Sequence, residues 1–211
     1  MRVVRRLLVL ALLLALVVSG AALAARGDPQ KKITPADQAR AKAMLLRTTD
    51  VGPGYKATRS SSGSDDFYCA ALDESDLTLT GEAESPNFET KTVFLSSMAQ
   101  VYESVADANV SWRRGTSASG ERCLRKELSR DGGLVSFRKR AFPRLAQRSV
   151  AYRFVGSAQG IRFYLDFVVL QQSRAHAVLA YGSVLVPVPG TDQVRLARIV
   201  AGRMAKAMRG A

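Results

Sequence analysis

The sequence predicts an α+β fold: an antiparallel sheet of about five to six strands, flanked by helices and held by one disulfide. Three observations lead there. Four β runs follow one another at 134–142, 148–155, 161–171 and 175–186, joined by connections too short for a crossover. Helical spacing lies before and after them. Two cysteines, Cys69 and Cys123, sit behind an export-type N-terminus, where an even count reads as a bridge. Strands in succession with helices set beside them are the α+β pattern.

Residues 1–24 have the parts of a signal peptide. Arg2, Arg5 and Arg6 precede an apolar run at 7–18, and Ala22-Leu23-Ala24 supplies a small-residue cleavage site. Retention as an anchor is the alternative, because the apolar stretch 7–25 approaches spanning length. Cleavage makes the protein secreted or extracytoplasmic, with a flexible leader at 25–33 and a single α+β domain at 34–211. That length is enough to bury a core without a metal. The formal net charge is +13, with three of those charges in the signal.

Thr34-Pro35-Ala36-Asp37 starts a helix, with Thr34 as N-cap, Pro35 at the first helical position and Asp37 near the positive end. Ala36, Ala39, Ala43 and Leu46 form its expected apolar face. The helix stops near Thr48, and 50–55 turns. Residues 60–66 are a Ser-rich surface loop, and Phe67 and Tyr68 are expected to be pinned by Cys69. A strand begins around Leu77, Leu79 and Gly81, Pro86-Asn87 turns, and 90–102 is a longer β run. Two helical pieces fill 106–128, interrupted at 115–120.

The second half alternates cleanly. Val150, Tyr152 and Phe154 share one face, as do Ile161, Phe163, Leu165, Phe167 and Val169. Hairpin connections fall at 156–160 and 172–174. Pro187, Pro189 and Gly190 end the last strand. A final helix at 192–208 turns Val194, Ala197, Ala201, Met204 and Met208 inward, and is expected on the face holding Phe163 and its row.

No cofactor motif is present. The chain has one histidine, His176, and no C-x-x-C, so no metal set is implied; P-loop, G-x-G-x-x-G and G-x-S-x-G spacings are absent. Asp65-Asp66 and Asp73-Glu74-Ser75-Asp76 read as solvated loops without the calcium-loop pattern. Asp166, mid-strand, reads as solvent-facing or paired with Arg153 or Arg162. Asn109-Val110-Ser111 matches a glycosylation sequon common by chance. Basic residues are the one collective signal, and outside a cell they point to an anionic cell-wall polymer or lipid surface rather than to nucleic acid. Arg195, Arg198, Lys206 and Arg209 share the outer side of the last helix and are the candidate contacts.

Met44-Leu45-Leu46 leads to Asp50-Val51-Gly52-Pro53-Gly54-Tyr55, one Cys precedes the first strand, a second lies in the middle helical segment, and strands then a helix close the chain at 161–208. On these features the chain resembles exported actinobacterial sensor-type domains, known from the extracellular part of mycobacterial serine/threonine kinases of the PknH type and from related secreted proteins and lipoproteins. The resemblance implies a central antiparallel sheet with flanking helices and a cleft, and ligand sensing rather than catalysis. No binding residue carries over. Three functions follow. One is an extracytoplasmic module that binds a small molecule or peptide, with Trp112, Tyr152 and Tyr164 as liners. The second is a basic protein held on an anionic surface. The third is a small hydrolase, which requires Asp166, His176 and a serine to converge.

Overall fold

A computed structural model describes residues 27–59, 69–129 and 133–210. The signal segment and the 60–66 loop lie outside them.

Residues Gln30–Lys31 form β1, Pro35–Met44 α1, Thr48–Val51 the short α2, and Lys56–Thr58 β2. A 3₁₀ turn at Ala70–Leu72 precedes β3 (Thr78–Glu84), β4 (Asn87–Glu89) and β5 (Val93–Tyr102). The helices α3 (Val105–Thr116) and α4 (Ala118–Leu128) follow. The strands β6 (Leu134–Arg140), β7 (Arg148–Ala158), β8 (Ile161–Gln172) and β9 (Ala175–Val184) then lead to α5 (Gly190–Ala207).

The nine strands form one sheet, whose main order is β1-β3-β5-β9-β8-β7-β6, with β4 against β5 and β2 against β4. It is larger than the expected five to six strands, and mixed, because β1 pairs with β3 in parallel. The leader is therefore not free along its length. Gln30 and Lys32 donate to the Leu77 and Leu79 carbonyls, so the segment adds as an edge strand, which sequence alternation over two residues cannot announce.

Both faces of the sheet are covered, and that reassigns the helices. Side chains two apart share a face. On the first face, Leu95, Ala99, Val101, Val168, Leu170, Ala177, Leu179 and Tyr181 pack against Leu196, Ala197, Val200, Ala201 and Met204 of α5 and against Ala41 and Met44 of α1. On the second face, Val150, Tyr152, Phe154 and Leu165 pack with Phe137, and Trp112, Leu124 and Leu128 of α3 and α4 lie on them. The last helix thus covers the face of Val168 and Leu170, not that of Phe163, Leu165 and Phe167. A strand buried on both faces reads as a near-continuous apolar run, and Leu165-Asp166-Phe167-Val168-Val169-Leu170 hides which row meets which helix.

In α1 the cap is as expected: the Thr34 hydroxyl accepts from the Asp37 amide. Its face is rotated, however. Ala36, Ala39 and Ala43 are exposed, and the buried stripe is Asp37, Ala41 and Met44. The cause is Arg174, in the β8–β9 turn, which forks onto Asp37 with contacts of 2.8 and 2.9 Å and also donates to the Tyr102 carbonyl at 2.7 Å. The helix backbone sits directly on β3, where a side chain at Gly81 would collide with the Asp37 carbonyl.

Asp50 has a comparable role at the 50–55 turn. It accepts from the Arg47 amide, closing the short α2, and receives a fork from Arg203 of α5 at 2.6 and 2.8 Å. Burial raises its pKa, but the Arg203 guanidinium and the Arg47 amide outweigh that and hold the carboxyl below its usual range. Between α3 and α4 a single residue, Ser117, ends one helix and caps the next: its hydroxyl donates to the Arg114 carbonyl and accepts from the Gly120 amide. No long loop interrupts the pair.

Candidate functional site

Cross-strand register lays out the second face in rows. Gln100, His176, Gln171 and Arg148 form the row under α3. Met98, Val178, Val169 and Val150 come next, then Ser96, Ala180, Phe167 and Tyr152, then Phe94, Gly182, Leu165 and Phe154. The helices close only part of this surface. Helix α3 rests on β5 and β9 at the His176 end. Helix α4 lies over β6 and β7, where Arg125 donates to the Phe137 carbonyl and the Tyr152 hydroxyl meets Glu121.

Between them the floor is left half covered. Ser96, Ala180 and Gly182 are small, and the larger Met98, Val178, Phe167 and Val169 around them are only half buried. Ala180 and Gly182 themselves are buried, so the exposed part is a strip of half-buried apolar side chains around Ser96. This is the candidate site.

The covered end of the floor is polar. The Tyr102 hydroxyl lies 3.0 Å from Glu74 Oε2 and 2.8 Å from Ser111 Oγ, and Ser111 Oγ is 3.4 Å from His176 Nδ1. Tyr102 and Trp112 both meet the imidazole edge-on. Gln171 donates to Asn109 of α3 at 2.9 Å and accepts from Arg148. Burial pushes the His176 pKa down to about 4, against the pull of the Ala108 carbonyl, so the ring is neutral near pH 7. Burial also raises Glu74, with the Ser111 and Tyr102 hydrogen bonds opposing. His176 is 6% exposed, and its Nε2 has no hydrogen-bond partner among the described residues. A buried polar atom without a partner calls for an explanation.

The expected liners divide. Trp112 and Tyr152 stand on this side of the sheet. Tyr164 pairs with Val155 and Ser183, so it belongs to the first face, where Arg153 lies over its ring. The same parity breaks the hydrolase arrangement. Asp166 is 1% exposed and on the first face, forked by Arg153 at 2.6 Å for both contacts and held by Gln193 of α5. His176 is on the second face, so the sheet separates them. His176 does approach a serine, Ser111, but Glu74, the carboxylate in that network, hydrogen-bonds Ser111 and Tyr102 rather than the imidazole.

The second acidic cluster is not simply a solvated loop. Glu74 enters the buried network, Asp76 takes a fork from Arg114, and Asp73 accepts from the Ser75 amide and hydroxyl. Asp65-Asp66 lie outside the described residues. Cys69 and Cys123 are joined, tying the 3₁₀ segment to α4. Arg195, Arg198, Lys206 and Arg209 are all exposed, and Arg195 also donates to the Asp50 carbonyl.

Sequence reading missed Ser96, Ala180, Gly182, Gln100 and Gln171. Small residues fall on both parities of β5 and β9, so only the pairing of Ser96 with Ala180, of Phe94 with Gly182 and of Gln100 with His176 gathers these residues into one surface.

No protein-family model matches the chain, and no curated protein matches it. Among solved structures, the fold is loosely similar to the extracellular domain of PknH from Mycobacterium tuberculosis. That match has a TM-score of 0.44 and 8% identity, over 83% of this chain and 98% of the other. The Saccharomyces cerevisiae Ran-binding protein Mog1p matches at a TM-score of 0.24 and 11% identity, over 77% and 84%. The human StarD13 lipid transfer and protein localization domain matches at 0.18 and 8%, over 64% and 90%.

Proposed function

We propose that the chain is an extracytoplasmic ligand-binding or sensing module without catalytic activity, and that its ligand lies on the half-covered second face. The observation that carries this is the half-buried apolar strip of Met98, Val178, Phe167 and Val169, which we read as the rim of a hollow over the small Ser96, Ala180 and Gly182, bounded by the Gln100–His176–Gln171 row. An apolar concavity with a few polar groups at one end suits a small molecule or short peptide with one polar end. The Cys69–Cys123 bridge supports an oxidising compartment.

Trp112 is the only tryptophan in the chain and belongs to this site. Its emission reports occupancy directly. Titration with anilinonaphthalene sulfonate, an apolar probe with one charged end, should give saturable energy transfer from Trp112 at one site per chain. Filling the hollow with Ala180→Leu should weaken it at least tenfold without unfolding the protein. Non-saturating transfer, or equal affinity in the variant, refutes the reading.

Surface attachment through α5 is the second reading, favoured by the exposure of Arg195, Arg198 and Lys206 on that helix and of Arg209 just past its end. Its partner is an anionic cell-wall polymer or lipid surface. Replacing the four by Gln should abolish salt-sensitive binding to anionic vesicles or wall fragments; unchanged binding removes this reading.

A further inference from the structure

The end of the sheet where β9 finishes carries an apolar tip that no described residue covers. Leu185 is 67% exposed and Val186 69%, and Ile161 beside them is 37% exposed. The register makes them neighbours. Leu185 donates its amide to the Arg162 carbonyl at 2.9 Å, and Val184 donates to the Thr92 carbonyl at 3.1 Å. Lys91 in the turn before β5, Leu185 just past the end of β9 and Arg162 of β8 are thereby gathered at this end of the sheet, with Ile161 and Val186 next to them in the chain.

The backbone holds this tip in an unusual shape. Leu185 has φ +71°, and the Val186 amide donates back to the Val184 carbonyl at 2.9 Å. A three-residue turn around a positive central φ is rare and strained, and a branched residue there is an outlier. Glycine would relieve the strain at no steric cost. Instead the turn lifts a leucine and a valine off the sheet into solvent. Strain that displays apolar side chains points to a contact made outside the fold.

Charge indicates what that contact is. At the tip itself, 91–92, 161–162 and 184–187 carry Lys91 and Arg162, and the carboxylates next along the chain, Glu89 and Asp192, lie outside it. Apolar side chains at the apex with cations a residue behind them match a bilayer. The apex enters the acyl boundary while the cations meet anionic headgroups. We propose that Leu185, Val186 and Ile161 form a membrane-insertion tip that docks the domain on anionic lipid, with Lys91 and Arg162 as the headgroup contacts. This site is distinct from the ligand hollow and from the basic side of α5, and it leaves the hollow free to bind while the domain is docked.

A local reporter tests the tip whatever else tethers the chain. In the full chain with Trp112→Phe, tryptophan is placed by Leu185→Trp or, as a second variant in case the turn is disturbed, by Val186→Trp. A control carries it at Thr58, in the β2 edge strand. Vesicles of phosphatidylglycerol and phosphatidylcholine are compared with phosphatidylcholine alone, each with and without brominated acyl chains. The expected result is a blue shift and bromine quenching at 185 or 186 on the anionic vesicles only, with the control unquenched. Leu185→Ser with Val186→Ser in the otherwise natural chain should lower partitioning onto anionic vesicles at least about tenfold, since each buried aliphatic side chain contributes roughly one such factor. Lys91→Gln with Arg162→Gln should lower it and flatten its salt dependence. Emission at both positions that stays water-like on anionic vesicles overturns the proposal. So does vesicle binding that the serine pair leaves unchanged but the four α5 substitutions abolish, which assigns attachment to the helix.

Discussion

Replacing Arg174 by methionine removes the guanidinium that joins the β8–β9 turn to α1, β3 and β5. Its two forked contacts fix Asp37 of α1, and its third bond satisfies the Tyr102 carbonyl at the end of β5. Asp37 is buried, so the substitution leaves a carboxylate with, among the described residues, Arg40 alone as a charged partner. Breaking a buried pair by removing one partner costs about 3–5 kcal/mol, whereas a surface bridge costs about 1 or less. Arg174 retains some exposure, so about 3 kcal/mol is expected. Asp37→Leu combined with Arg174→Met should cost less than Arg174→Met alone, because no unpaired charge remains. The pH dependence follows. Arg174 first, with Thr80 and Arg40, holds the Asp37 carboxyl well below its usual range against the opposing effect of burial. Its folded pKa is thus depressed, so the stabilisation is fully present above the unfolded value near 3.9 and is lost as pH falls from there through the folded value. Urea unfolding followed by Trp112 emission at pH 7 and at pH 3 measures both. A cost below about 1 kcal/mol for Arg174→Met, or the same acid loss in Asp37→Asn as in the natural chain, refutes the reasoning.

His176, with a folded pKa near 4 against about 6.5 unfolded, stabilises the fold fully above pH 6.5 and progressively less as pH falls to 4; His176→Gln should flatten that part of the stability profile, and an NMR titration of the imidazole should place its midpoint near 4. Cys69 and Cys123 should be unreactive in denatured, unreduced protein, and Cys69→Ser with Cys123→Ser should cost up to about 4 kcal/mol by opening the loop that the bridge closes. A thiol assay and urea curves check those two. Leu170→Ala should cost about 2–5 kcal/mol, because its side chain is fully enclosed under α5. Val135→Ala, on an exposed side chain of β6, should stay within about 0.5 kcal/mol, and equal costs for the two would contradict the burial described.

The local chemistry was readable from single residues. Thr34-Pro35 start α1, Ser-rich punctuation falls between α3 and α4, and alternation from 148 to 171 marks two strands. What escaped depended on partners far away in the chain. Asp37 looks like a dipole-facing surface residue until Arg174, 137 positions later, turns the helix toward it. Asp166 and His176 look like candidates for one site until cross-strand register puts them on opposite sides of the sheet. The hollow is the extreme case, since Ser96, Ala180 and Gly182 are unremarkable separately and form a surface only because β5 and β9 are neighbours with intervening helices between them in sequence. Local periodicity specifies elements, and the register of distant strands specifies the site.

The central claim, that the half-covered face holds a ligand, is tested most directly on protein recovered from the cells that export it, by mass spectrometry under non-denaturing conditions. The account predicts a discrete adduct of one small molecule or peptide per chain, released on denaturation and absent from a folded Ala180→Leu variant. A folded natural chain carrying no adduct, or one carrying the same adduct as the variant, contradicts it.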